Sequence, residues 1–350
     1  MQQITLSANL TYKNNFDFLR FLLAFSVVMA HFCGLSGNKQ FWIISSGMAV
    51  SGFFIISGFL ITWSYINNSN LKTYVKKRLG RIAPAYYFII IICACFLFFA
   101  SVSSFHDYFF STHFLKYLIA NFSFLNFIEP KLPGVFEQNV LPAVNGALWS
   151  IKVEIALYVC VPLYCLLMKK VNKGLLCIGI YLISVIVSGY LSYMENKTGN
   201  SLYASLGRQF ISQLMYFISG AVILLYFDVF QKYIKVLFFP ALLIVSSRYI
   251  ALPDGFLKTC FECLFPIAFA LLLIGVAFNF KYLNNFGKYG DFSYGIYLFH
   301  FPIIQLLVNY KVHEWSFFGS LLLVIILTGG LAFFSWNFIE KPALKKVRTK

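Results

Sequence analysis

The sequence predicts an all-α fold: a polytopic integral membrane helix bundle of about ten transmembrane helices, with both termini cytoplasmic. Three observations carry that prediction. Hydrophobic residues make up 60% of the chain and charged residues only 11%. A soluble domain carries roughly a quarter charged residues, so this chain has too little polar surface to clothe a globule in water. Apolar runs long enough to cross a hydrocarbon core recur from end to end. Lysines and arginines gather in alternate connections between those runs, as the positive-inside rule requires.

The runs fall at roughly 16–36, 41–66, 84–102, 148–168, 174–194, 207–227, 232–250, 257–279, 291–311 and 316–338. An eleventh stretch, 112–128, is interrupted by Lys116, Asn121 and Asn126, and charge parity decides whether it crosses. With ten spans, eighteen basic residues lie inside and eight outside; the inside set runs from Lys13 through Lys72, Lys76, Lys77, Arg78 and Arg81 to Lys350. If 112–128 crossed as well, every later connection would change sides and the counts would become twelve and thirteen, erasing the asymmetry. The expected organisation is a cytoplasmic segment 1–15, a membrane domain 16–338 with one large outside loop over 103–147, and a basic cytoplasmic tail 339–350. Apolar helices continue to the end of the chain, so the N-terminus is not expected to be a cleaved signal.

Composition also excludes function classes. A net charge of +16 invites a nucleic-acid reading, but the basic residues sit in short clusters between apolar runs, where topology needs them. The cysteines lie mostly within apolar stretches, where a free thiol acts as a small hydrophobe. Cys260 and Cys263 form a CxxC without a second pair, so neither a metal nor a redox site is expected.

Polar groups inside the apolar runs are the functional candidates, because a charge at the bilayer centre costs about 2.5–3.5 kcal/mol on insertion scales. Arg20 and His31 are eleven residues apart on the first run, which puts them on one helix face about 16 Å apart. Arg20 then lies towards the cytoplasm and His31 towards the outer side. Arg20 can equally snorkel to headgroups, and His31 can serve as an interhelical hydrogen bond. The fourth run opens at Trp149 and sets Glu154 about 9 Å below the outer boundary, near the depth of His31. A carboxylate there can hold an imidazole tautomer; a salt bridge from Glu154 to Lys152 or an arginine is the structural alternative. In the second run, Gly47, Ser51 and Gly52 precede Phe53–Gly58, a pattern that by itself means close helix packing. Arg78 and Arg81, three apart in the inside loop that follows, can grip phosphate through charged hydrogen bonds or merely set topology. Ser293–Pro302 places His300 near mid-membrane beside a proline that frees a backbone carbonyl.

Together these motifs resemble the acyltransferase family 3 membrane enzymes, which O-acylate sugars and other small acceptors. The matching elements follow in order over 16–342: Arg-x10-His (Arg20, His31), FFxxSG (Phe53 to Gly58), RxxR (Arg78, Arg81), WSxxxE (Trp149 to Glu154), SYxxYLxHxP (Ser293 to Pro302) and a terminal Glu-Lys-Pro (Glu340 to Pro342). Each motif alone is weak; six in order, on a ten-span frame read independently, are specific. The resemblance implies an acyl-CoA-dependent O-acyltransferase that moves an acyl group, commonly acetyl, from the cytoplasm to a hydroxyl. In many relatives that hydroxyl belongs to an outer-face glycan such as O-antigen or another polysaccharide. It further implies a multi-pass protein of the bacterial inner membrane, with acetyl-CoA as co-substrate, no permanently bound cofactor and no metal. The expected partners are a glycan or lipid-linked glycan acceptor and membrane lipids, without nucleic acid; oligomeric state stays open. His31 would deprotonate the acceptor or carry the acyl group itself, with Glu154 orienting it. Arg78 and Arg81, with Arg20, would hold the coenzyme A phosphates, and Ser57, Ser150, Tyr297 and His300 would line the site.

Two departures from the family pattern stand out. Lys152 puts a charge inside WSxxxE, and the SGNH-type soluble domain that some relatives append is not expected here. Rival readings are a transporter or flippase for lipid-linked sugars, or an acyltransferase for an intracellular small molecule. Transporters often show paired halves, and no internal repeat is visible. The ten-span frame predicts that reporter tags at both termini read cytoplasmic and a tag within 103–147 reads external; an N-terminal tag read outside would reverse the first helix and remove the expected path from Arg20 to His31.

Overall fold

A computed structural model of the chain describes residues 14–39, 41–250, 252–253, 255–280 and 282–348. Most of the expected 1–15 segment, with Lys13, and the end of the tail, with Lys350, lie outside the described residues. The described residues form helices and no strand. That is the solution available to a chain surrounded by hydrocarbon, since a helix satisfies its own backbone hydrogen bonds.

Nine helical stretches among the described residues are long and apolar enough to span: Phe16–Leu35, Ser46–Asn67, Leu71–Ala100, Gly146–Leu167, Lys173–Thr198, Ser201–Leu225, Phe227–Tyr249, Phe256–Asn279 and Phe317–Lys346. A tenth apolar helix, Ser293–Asn309, has 17 residues and is buried over most of its length; at 1.5 Å per residue it reaches about 26 Å, the short limit for a crossing. Its start at Ser293 leaves Asp291 in the preceding loop. The ambiguous stretch forms a helix of only 11 residues, Thr112–Phe122, about 16 Å long and too short to cross.

One local expectation is corrected. Arg78 and Arg81 do not lie in a loop: the helix begins at Leu71 and continues through Pro84 to Phe96. Asn70 starts it by accepting the Thr73 N–H at 2.9 Å, a capping bond that satisfies one orphan donor. The two arginines therefore share a helix face, three residues apart.

The chain divides into two compact units. One comprises residues 14–19, Val50–Tyr74 and Val153–Lys288. Its interior includes Phe16, Phe59, Phe227 and Phe278, with ring centroids 5.0–5.9 Å apart. Here the helices Ser46–Asn67 and Phe210–Leu225 meet backbone to backbone. A Cβ on Gly58 would lie 1.9 Å from the Phe217 carbonyl oxygen, and one on Gly220 would lie 2.0 Å from that of Ile55. Gly58, the last residue of FFxxSG, is thus a packing residue.

The other unit comprises Arg20–Ala49, Val75–Lys152 and residues 289–348, and holds the loop 103–147. That loop is tied down by its own polar groups. Ser101 Oγ donates to Pro133 O at 2.7 Å, and Tyr86 OH donates to Asn121 O at 3.0 Å. Gln305, fully buried on helix Ser293–Asn309, donates Nε2–H bonds to Leu141 O and Ala143 O at 2.6 and 2.7 Å. Its Oε1 accepts from Asn139 Nδ2 at 2.9 Å. Pro302 has no N–H for the Leu298 carbonyl one turn back, and Asn145 Nδ2 donates to that carbonyl at 2.9 Å.

Gly58→Ala forces a methyl onto backbone and should lower stability by about 1–3 kcal/mol or more, whereas Gly179→Ala, with nothing within 4 Å of the new Cβ, should leave it unchanged or higher; melting temperatures in detergent compare the two.

Candidate active site

Helix Phe16–Leu35 and helix Ser293–Asn309 are joined at two levels. At one, Arg20 Nη2 lies 3.5 Å from Asp291 Oδ2. At the other, His31 Nδ1 and His300 Nε2 are hydrogen-bonded at 2.8 Å. The first pair precedes the second along both segments, so the two helices run side by side in the same direction. The levels are about 16 Å apart, eleven residues of rise.

The histidine level is largely buried. His300 is fully buried and Phe301 is 2% exposed. The imidazole planes are nearly parallel, 9° apart with centroids at 5.1 Å, and the Phe301 ring meets His31 edge-on at 5.3 Å. His300 Nδ1 faces the Ile296 carbonyl at 3.1 Å. His31 itself is half-buried, and among the described residues no protein group bonds its Nε2. Sequence reasoning gave the orienting part to Glu154; within this unit His300 bonds Nδ1 of His31.

The second level is an ion cluster. Arg81 donates from Nη2 to Asp291 Oδ2 at 2.6 Å and from Nη1 to Glu340 Oε2 at 3.1 Å. Its guanidinium also lies 5.4 Å from the Tyr294 ring centroid and 6.0 Å from that of Trp336. The Asp291 carboxylate, 14% exposed, takes both guanidiniums on one oxygen, and the Ser293 hydroxyl and N–H bond the other. Burial by itself would raise this loop carboxyl; Arg20, Arg81 and Ser293 together bring it down to about 2. The stabilisation it contributes is therefore present above the ordinary carboxylate range and is lost only as pH falls through about 2.

Glu340 reaches the cluster because of a local change in helical pitch. Residues Trp336–Glu340 form a π-turn between the helices Phe317–Ser335 and Lys341–Arg348. In a regular α-helix residues five apart point about 140° away from each other. The wider i→i+5 turn brings Ser335 Oγ to Glu340 Oε1 at 2.9 Å and turns the other oxygen to Arg81.

The remaining sequence candidates fall into two further groups. Ser150 Oγ and the Tyr297 hydroxyl are 2.6 Å apart, and Tyr297 also donates to Ala147 O at 2.9 Å. Tyr297 stands one turn before His300, with ring centroids 6.0 Å apart. In the other unit, Glu154 accepts from the Tyr158 hydroxyl, and Ser57 Oγ lies 3.5 Å from Glu154 Oε1. Lys152 has its ammonium 3.8 Å from the Phe127 ring centroid, a cation–π contact. Arg78 is half-buried on the face it shares with Arg81.

Sequence reasoning missed Asp291 altogether and treated Glu340 only as part of a motif. A signal existed: the chain has just 12 acidic residues, so an acid adjoining an apolar run is informative. His300 was placed among lining residues; its pairing with His31 depends on two helices far apart in sequence.

Comparison with known proteins comes to the same place. The profile of a family described as "Acyltransferase domain" matches residues 13–338. An "O-acetyl transferase" of Shigella phage Sf6 is 26% identical, with 97% of this chain and 98% of that protein covered. "Nodulation protein 10" of Rhizobium leguminosarum bv. viciae is also 26% identical, over 95% of this chain and 94% of its own. "O-acetyltransferase OatA" of Staphylococcus aureus is 22% identical over 96% of this chain, which spans only 58% of that longer protein. No solved structure matches.

Asp291→Asn removes the carboxylate that takes both guanidiniums. It should destabilise the protein by on the order of 3 kcal/mol, as when a buried pair loses one partner, with the loss read as a lower melting temperature.

Proposed function

The chain belongs to the acyltransferase family whose domain profile covers residues 13–338, and from that premise we propose that it O-acetylates a cell-surface glycan in a bacterial inner membrane, with cytoplasmic acetyl-CoA as donor. The relatives named O-acetyl transferase and O-acetyltransferase support acetyl as the group moved. The observation that carries the reading is His31: a half-buried imidazole whose Nδ1 is bonded within the protein and whose Nε2 is open, on the same helix as Arg20.

In this reading Nε2 takes the proton of the acceptor hydroxyl as its oxygen attacks the thioester carbonyl. The carbon–sulfur bond then breaks, and the coenzyme A thiolate leaves with that proton returned from His31. A two-step course uses the same atom: Nε2 attacks the carbonyl and the thiolate leaves, then the hydroxyl oxygen attacks the acyl-imidazolium, the nitrogen–acyl bond breaks to restore neutral His31, and the hydroxyl proton passes to the coenzyme A thiolate. The coenzyme A phosphates are held from the arginine end. Arg78 meets them first, and Arg81 and Arg20, already anchored on Asp291, add charge behind it. Tyr297 and Ser150 hold the turn below His300, and Glu154, seated by Tyr158 and Ser57, is a second acid–base candidate.

His31→Ala should reduce acetyl transfer by about 10²–10⁴-fold in a monodisperse, correctly inserted protein, with acetyl-CoA affinity kept. Arg78→Ala should instead weaken binding, seen as a smaller thermal shift on adding acetyl-CoA. Near-normal transfer by the His31 variant sinks the assignment, and an unchanged shift removes Arg78 from the donor site.

A further inference from the structure

We propose that His300 is a positioning residue that fixes the tautomer of His31, so that the Nε2 lone pair of His31 is the one presented to the reacting groups. The inference rests on His31 as the reacting histidine.

Two hydrogen bonds in line fix where each proton sits. The Ile296 carbonyl, 3.1 Å from His300 Nδ1, has no proton to give, so His300 Nδ1 must carry one. A neutral His300 then holds a lone pair on Nε2. That lone pair faces His31 Nδ1 at 2.8 Å, so the bond forms only if His31 Nδ1 is the N–H. A neutral His31 therefore bears its free lone pair on Nε2. The opposite tautomer of the pair would set the Nδ1 lone pair of His300 against the Ile296 carbonyl, in a place where His300 is fully buried and no water can relieve it. A backbone carbonyl thus sets the proton order of two side chains.

The turn that holds this order is itself held. Pro302 interrupts the helical ladder just beyond His300, and the Leu298 carbonyl it leaves is bonded by Asn145 at 2.9 Å. Tyr297, between Ile296 and Leu298, is bonded to Ser150 and Ala147. The carbonyl that begins the relay therefore sits in a segment with little freedom to turn. When Nε2 of His31 takes a proton, the Nδ1–H becomes a stronger donor, and the neutral His300 Nε2 is in place to accept it. This is the part that an aspartate plays in a serine-protease triad, here played by a neutral ring without adding a buried charge.

Two substitutions and one direct measurement test the proposal. His300→Gln keeps a donor for Ile296 O and an acceptor for His31 Nδ1–H, and should retain a tenth or more of kcat. His300→Phe fills the ring volume without an acceptor, and should lose about a hundredfold or more in kcat, with KM for acetyl-CoA within about twofold. Activity is read as coenzyme A released from acetyl-CoA by native membranes containing each variant. Nitrogen NMR of histidine-labelled protein in bilayers, with His31 assigned by difference from His31→Asn, should show Nδ1 protonated and Nε2 bare. Near-native kcat in His300→Phe, equal losses in the Gln and Phe variants, or a proton on His31 Nε2 would each overturn it. If His300→Phe does not fold, the Gln variant and the NMR assignment decide. Full activity of His31→Ala would refute the catalytic reading instead, and the tautomer measurement would still judge the pairing.

Discussion

A polar side chain carried into the apolar layer costs free energy unless it finds a partner within the protein, because hydrocarbon supplies none. This constraint organises the unit that contains His31. The imidazoles of His31 and His300 meet each other, the guanidinium of Arg81 meets two carboxylates, and the amide of Gln305 is bonded by the loop 103–147. Even the carbonyl released by Pro302 is taken, by Asn145. The loop 103–147 is held for the same reason: its carbonyls and amides complete the polar groups of helix Ser293–Asn309.

The ion cluster shows how charge is tolerated so close to that layer. Arg20 and Arg81 against Asp291 and Glu340 leave no formal excess, and Arg81 is further covered by two aromatic faces. Such clusters are weak evidence for stability as wholes, yet removing one member leaves an unpaired charge and is strongly destabilising. The π-turn at Trp336–Glu340 belongs to this balance. Without its extra residue per turn, Glu340 would face away from Ser335 and the terminal helix would lose its hold on Arg81.

In the proposed function, the two levels on helix Phe16–Leu35 separate two chemical tasks. A cationic end suits the anionic phosphates of a donor, and a neutral, largely buried imidazole end suits proton transfer to and from a hydroxyl. One rigid helix sets the spacing between them at about 16 Å, and the parallel run of helix Ser293–Asn309 holds both ends at once. Separating charge from the acid–base group keeps the histidine free of guanidinium neighbours, which would disfavour its protonated form.

Much of this was legible before any tertiary structure. The apolar runs and the asymmetry of lysine and arginine pointed to a polytopic helix bundle, and the eleven-residue spacing put Arg20 and His31 on one helix face, because hydropathy, charge and helical periodicity are local properties of consecutive residues. The short helix Thr112–Phe122 bears out the parity argument that kept 112–128 out of the count. Which residue bonds His31, where Arg81 finds its carboxylates and how Glu340 turns towards them were not legible. They depend on contacts between segments 200 or more residues apart. Sequence spacing alone did not show His300 as a partner of His31; the close approach of two helices makes it one. A residue's depth can be counted along one helix, but its neighbour across the gap is chosen by packing, which only the folded chain decides.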